Sequence, residues 1–239
     1  STFFLNQPTP VSTSSITLEH IGCFGDSTGT ATIIATGGAS LYEYVWNTSS
    51  NLENSGGVFG LWADTYFLTI TDSNGCVFDT NIIINQPAFP LGVDSIISDV
   101  ACFGDSTGFI ESIATGGTAP YVYLWDSAAN NQTSAIATNL AIGSYQVWVV
   151  DSNGCQDSLM ATINQPVQAL GVSVLESNVL CFGESNGYAV ANSFGGTAPY
   201  SYQWGSGTVN QVGDSATNLP QGSYSVTITD TLGCMVDTA

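Results

Sequence analysis

The sequence predicts an all-β protein, a tandem array of small β-sandwich domains joined end to end in a rod. Three observations carry this. CFGDSTG spans Cys23 to Gly29, returns unchanged from Cys102 to Gly108 and recurs as CFGESNG from Cys181 to Gly187, a period of 79 residues in both intervals. Within each period, short β-branched and aromatic runs alternate with Gly, Pro, Asn and Asp at the spacing of sandwich strands. No run has helical periodicity of any length.

The fixed period marks a repeat array, and NQP at Asn6, Asn85 and Asn164 marks its joints. Residues 1–8 are then the tail of a preceding repeat, followed by repeats at 9–87, 88–166 and 167–239, the third truncated at its end. The chain reads as a piece of something longer. A 79-residue repeat is near the lower limit at which one core outweighs chain entropy, so cross-links or neighbours are expected to help.

The middle repeat shows the elements most clearly. GVDSIISDVA from Gly92 is the first predicted strand, FIESIAT from Phe109 the second and YVYLW from Tyr121 the third. SAIATNL from Ser134, SYQVWVV from Ser144 and QDSLMATI from Gln156 follow a variable loop. In the third strand a period of two puts Tyr121, Tyr123 and Trp125 on one face, as it does Tyr200, Tyr202 and Trp204 one period later, and that face is the core. The fifth strand does likewise with Tyr145, Val147 and Val149. Its equivalents are Tyr66, Leu68 and Ile70, and Tyr224, Val226 and Ile228. Each of these tyrosines follows a tight turn (LAIGSY, LPQGSY), which resembles the tyrosine corner of immunoglobulin-like sandwiches.

The succession CFGDSTGF, ATGGTAPYVYLW, NLAIGSYQVWVVDSNGC and ATINQP resembles the SprB repeat, found in very long surface adhesins of gliding bacteria, and the likeness extends over all three repeats. The resemblance implies tandem immunoglobulin-like domains, export by type 9 secretion, an extracellular, cell-surface location and service in an adhesin or filament. The first repeat departs most, since GGASLYEYVW lacks the proline and Asp64 replaces a turn glycine.

The cysteines of each repeat lie 53 residues apart. In an immunoglobulin-like topology, CFGDSTG follows the first strand at one pole and DSNGC joins the last two strands at the other. The poles are roughly 25 Å apart, whereas a disulfide tolerates Cα separations of only about 4.4–6.8 Å. This favours a staggered pairing, Cys23 with Cys155 and Cys102 with Cys234, leaving Cys76 and Cys181 for repeats beyond the chain. Bridges within repeats (Cys23–Cys76, Cys102–Cys155, Cys181–Cys234) stay open, being the commoner kind. Either set points to an oxidising, extracellular setting. Zinc is disfavoured because a single histidine supplies no ligand set.

Nineteen acidic residues and no Lys or Arg give a net charge of −19. Phosphate backbones and anionic lipid call for cations, so nucleic acid is not an expected partner, and direct membrane insertion is not expected either, as no stretch approaches a membrane span. The expected partners are neighbouring repeats, other copies in a fibre, and a polysaccharide or solid surface reached through other parts of the chain.

Chemistry has few candidates. DSNG at Asp72 and Asp151 contains the opening of a calcium loop, but a turn suits Asp, Asn and Gly better, and the third repeat has DTLG instead. No other cofactor is indicated. Asp26, Asp105 and Glu184 read as turn formers. His20, beside Glu19, recurs in no other repeat and reads as a solvated side chain, and no base recurs to activate a serine, so no catalytic residue is assigned. Trp148 faces outward where Thr69 and Thr227 stand in the other repeats, and Trp62 occupies a turn; both are candidate surface contacts. Asp-Ser or Asp-Thr before an apolar residue resembles a bacterial O-glycosylation signal at Ser95, Ser127, Ser158, Ser215, Thr231 and Thr238. The functional expectation is a structural stalk segment of a large adhesin. The alternatives are an array of carbohydrate-binding modules and accessory domains of a larger secreted enzyme.

Overall fold

A computed structural model describes residues 2–47, 56–205 and 211–238. Its regular elements among these residues are β-strands and one 3-10 turn at Ser127–Ala129. By contact density the chain divides into two compact units. The first is Ser1–Asp94, Ala114–Val122 and Trp148–Ser158; the second is Ser95–Ile113, Tyr123–Val147 and Leu159–Ala239. The division runs through the middle of the three sequence repeats.

The first repeat supplies β1 (Ser12–Glu19), β2 (Gly29–Thr36), β3 (Glu43–Trp46), β4 (Gly57–Leu61), β5 (Asp64–Thr71) and β6 (Val77–Ile84). They form two three-stranded sheets of order β1-β2-β4 and β3-β5-β6. This is the division of an immunoglobulin-like sandwich, first, second and fourth strands against third, fifth and sixth. All pairings are antiparallel, with Asp64 opposite Ile84 and Tyr66 opposite Ile82 in the second sheet.

Alternation explains the core. On β2, Ala31, Ile33 and Ala35 point inward while Ile34 is exposed, and Trp46, Leu68, Ile70, Ile82 and Ile84 meet them from the facing sheet. Gly29 opens β2 because a Cβ there would stand 2.6 Å from an Ile84 methyl and 2.8 Å from the Leu61 carbonyl oxygen.

The pattern recurs one period on in β7 (Gly92–Ser98), β8 (Gly108–Thr115), β9 (Val122–Trp125), β10 (Ile136–Leu140), β11 (Gly143–Val150) and β12 (Gln156–Ile163), with sheets β10-β8-β7 and β12-β11-β9. In the third repeat, β13 (Gly171–Ser177), β14 (Gly187–Phe194) and β16 (Ser215–Leu219) form one sheet. There β15 (Ser201–Trp204), β17 (Val226–Thr229) and β18 (Met235–Thr238) form the other. The predicted strands of the middle repeat match within two residues at every end except the first strand's C-terminus, where β7 stops at Ser98.

All three tyrosines expected on the fifth strand make the corner bond, although Tyr224 lies just before β17: Tyr66, Tyr145 and Tyr224 donate to the carbonyl oxygens of Trp62, Ala141 and Pro220 at 3.0, 2.9 and 2.7 Å. A second set the sequence did not disclose holds the loop before the third strand. Tyr42, Tyr121 and Tyr200 donate to the carbonyl oxygens of Gly37, Gly116 and Gly195 at 2.5, 2.6 and 2.7 Å.

Candidate functional site

The two places where residues of different repeats are covalently tied are the strongest candidates for function. Cys23 bonds Cys155 and Cys102 bonds Cys234, each with a Cα separation of 5.6 Å. This is the staggered arrangement, so bridges within repeats do not form. Cys76 and Cys181 are free and exposed. Disulfides of this kind, which close loops over 132 residues, belong to an oxidising compartment.

Each joint is assembled from three segments. The first is the CFGDSTG loop. Its tight turn is closed by the Asp26 amide donating to the Cys23 carbonyl, repeated by Asp105 with Cys102 and by Glu184 with Cys181. These acidic residues are therefore turn formers, as their sequence context suggests.

The second segment is NQP. In the first joint the Asn85 carbonyl accepts from the Ile21 amide at 2.9 Å, and Gln86 Oε1 accepts from the Gly25 amide at 2.9 Å. In the second, Asn164 takes the Val100 amide at 2.9 Å and Gln165 takes the Gly104 amide at 3.0 Å. NQP is thus more than a boundary marker: its glutamine satisfies the loop that carries the bridging cysteine. His20 is exposed but not merely solvated, for its Nδ1 accepts from the Asn85 amide at 3.2 Å. Asp99 holds that place in the next repeat, accepting from Asn164 at 2.8 Å. Sequence comparison missed the equivalence because imidazole and carboxylate share only their acceptor chemistry.

The third segment is the turn between the last two strands. Asp151 Oδ1 accepts from the amides of Asn153 and Cys155, both at 2.9 Å, and Oδ2 accepts from the Thr118 amide at 2.8 Å. Asp72 does the same with Asn74, Cys76 and Ala39, and Asp230 with Leu232, Cys234 and Thr197. All three carboxylates are buried. For Asp72 the Ala39 amide, then that of Cys76, holds the carboxyl below its ordinary range in spite of burial. For Asp151 and Asp230 burial pushes upward, but the amides outweigh it and the net displacement is again downward. Backbone amides already occupy both oxygens of each carboxylate, so these aspartates are poorly placed to serve calcium. Asp72 also pushes the Cys76 thiol up through its negative charge.

Between these segments the first joint has one bond that the second lacks. Asn153 Nδ2 donates to the Gly22 carbonyl at 2.9 Å and to Thr118 Oγ1 at 3.0 Å. Leu232 stands in that position in the third repeat and has no donor to offer. The sulfurs of Cys155 and Cys234 each lie 3.4 Å from a carbonyl oxygen, of Gly22 and Ala101 respectively; with no thiol proton, these are contacts rather than hydrogen bonds.

The remaining candidates lie away from the joints. Trp148 and Trp62 are exposed to 39% and 58%. Among the glycosylation candidates, Ser127, Ser158 and Thr231 are exposed, whereas Ser95, Ser215 and Thr238 are half-buried.

Sandwich topology, tyrosine corners and staggered bridges define an immunoglobulin-like repeat protein cross-linked between successive repeats. The family profile for the SprB repeat matches residues 15–51, 95–130 and 176–209. Each of the three sequence repeats thus contains one stretch that matches the SprB repeat. No curated protein matches it.

Among solved structures, the chain is similar to the C-terminal 282-residue fragment of intimin, determined in complex with the translocated intimin receptor's intimin-binding domain. The match has 14% identity and a TM-score of 0.38, covering 65% of this chain and 66% of that one. It is also similar to the N-terminal eight Ig domains of Down Syndrome Cell Adhesion Molecule, at 7% identity and a TM-score of 0.38, covering 97% of this chain and 44% of that one. A third is surface layer protein SbsC, domains 1-6, at 12% identity and a TM-score of 0.32, covering 97% and 40%. The chain thus spans less than two thirds of each of these structures.

Proposed function

We propose that this chain is a stalk segment of a large cell-surface adhesin or filament, exported by type 9 secretion and connected with gliding motility, and that its repeats perform no catalysis. Two equivalent covalent joints between successive repeats carry this reading, because a bridge recurring at one register transmits load and fixes spacing. The SprB repeats support the adhesin setting. The repeated carboxylates are committed to backbone amides, which suits a structural role. Each repeat, at 9–87, 88–166 and 167–239, is proposed as one sandwich domain, with Ser127, Ser158 and Thr231 the most accessible sites for O-glycans.

The test joins two measurements. Antibody against the chain should label intact producing cells from outside, and the purified chain should retain no glycan on an array. Label confined to permeabilised cells would overturn the surface assignment. Saturable glycan capture abolished by Trp148→Ala or Trp62→Ala would replace the stalk with a carbohydrate-binding module.

A further inference from the structure

We propose that the outer edge of β6 pairs antiparallel with the same edge of a second copy of this chain, Val77 lying opposite Ile83 and Asp79 opposite Asn81. The proposal stands on the first repeat's own geometry and does not depend on the stalk reading.

Edge strands are ordinarily blunted, because their unpaired amides and carbonyls invite another strand. The two sheets of the first repeat have β1, β4, β3 and β6 at their edges. Three of these are blunted. The pairing of β1 shifts register between Thr13 and Ser15, β3 is four residues long, and β4 carries Gly57 and Gly60 beside a register shift between Gly29 and Ala31. No such device protects β6. It runs beside β5 for eight residues, VFDTNIII, without a shift, and contains no proline, glycine or basic residue. Among the described residues no strand pairs with its outer side.

The direction of its main-chain groups follows from its two ends. The Cys76 carbonyl accepts from the Asp72 amide, so position 76 faces β5. Asn85 faces the other way, its carbonyl accepting from Ile21 and its amide donating to His20 Nδ1. Alternation along the unshifted strand therefore turns the amides and carbonyls of Val77, Asp79, Asn81 and Ile83 outward. His20 and Ile21 close the edge at Asn85, which leaves residues 77–83 open. The side chains of the same four residues stand on the solvent face of the sheet, with Val77 58% and Ile83 54% exposed and Asp79 and Asn81 exposed beside them.

These side chains select both the partner and the register, because the edge is its own complement about Thr80. A two-fold axis through Thr80 sets Val77 against Ile83, Asp79 against Asn81 and Thr80 against itself. Outward groups then meet outward groups, with about eight main-chain bonds across the seam. Asp79 Oδ1 already accepts from Thr69 Oγ1 at 2.7 Å, and Oδ2 would accept from the Asn81 side-chain amide of the second copy. A slip of two residues one way opposes Asp79 to Asp79, and the other way opposes Asp79 to Ile83. In a chain of net charge −19 without Lys or Arg, a seam between copies must keep carboxylates apart, and this register does so. The aligned positions of β12 are Gln156, Ser158, Met160 and Thr162, which would set Ser against Met and lack the complement.

The experiment is sedimentation velocity on the whole chain from micromolar to millimolar concentration, at about 0.15 M and 0.5 M salt. Dimers should grow with concentration and form more readily at the higher salt, where the repulsion of acidic copies is screened. Asn81→Asp opposes carboxylates twice in the seam and should weaken dimerisation by roughly tenfold or more, and adding Asp79→Asn should restore it. Asn81→Pro removes an outward amide and none bonded to β5, so it should abolish the dimer. Intact Cys23–Cys155 and Cys102–Cys234 bridges are the sign of correct folding in each variant. Thr80→Cys should cross-link to its own counterpart under mild oxidation, as peptide mapping would show, since residues opposed at the axis lie within disulfide reach. Four results would overturn the proposal: monomers at every concentration in both salts, dimers indifferent to Asn81→Asp, no recovery in the double variant, or dimers of the unaltered chain held entirely by a disulfide.

Discussion

Asp151 shows how much one side chain can organise, since three amides of a turn and a facing loop converge on its carboxylate. Because its folded pKa lies below the unfolded value of about 3.9, as do those of Asp72 and Asp230, the stability they contribute is full above that value and is lost as pH falls through the folded pKa. A denaturation series should therefore be flat near neutrality and drop below about pH 4. Asp151→Asn should shrink that acid limb and lower the melting temperature at neutral pH. The loop that meets Asp151 is equally constrained. Gly117 has φ +54, and a Cβ there would stand 2.7 Å from Asp151 Oδ2. Gly117→Ala is expected to destabilise by about 2 kcal/mol or more, read as a fall in melting temperature. Ser112 gives the opposite sign. Among the described residues its buried hydroxyl has no hydrogen-bond partner, and Ile33 and Ala191 hold its place in the other repeats. Ser112→Ala should stabilise the protein by about 1 kcal/mol in a urea titration.

At the scale of the elements, the fifth strand and its corner tyrosine are the most telling. Tyr145 combines a buried ring with a hydroxyl that closes the turn on Ala141. Tyr145→Phe should keep the packing and cost about 1 kcal/mol, which calorimetry can resolve. Such strands were legible in the sequence because a period-two aromatic pattern recurred in register, as Tyr145, Val147 and Val149 did with Tyr224, Val226 and Ile228. The cysteine pairing was legible as a preference: strand length argued against bridges within repeats and favoured Cys23 with Cys155 and Cys102 with Cys234, the two bridges the fold contains. What stayed hidden depended on atoms rather than pattern. Gln86 and Gln165 looked like punctuation, although each completes the loop of a bridging cysteine. His20 and Asp99 share a task their residue types conceal.

For the whole molecule, the two bridges interleave, since Cys102 lies inside the loop closed by Cys23–Cys155, and Cys155 inside the loop closed by Cys102–Cys234. Pulling on the two ends would therefore not draw the chain out in sequence order. The shortest covalent route from Cys23 to Cys234 crosses to Cys155, runs backwards over 53 residues to Cys102 and crosses again, in place of 211 residues of backbone. At roughly 3.5 Å per residue, tension could extend that span by only about 190 Å with the bridges intact, against about 740 Å once they are reduced. Optical-trap extension with and without reductant should show this difference. Even with every sandwich torn open, the oxidised chain would behave as a short leash, its middle repeat strained from tail to head.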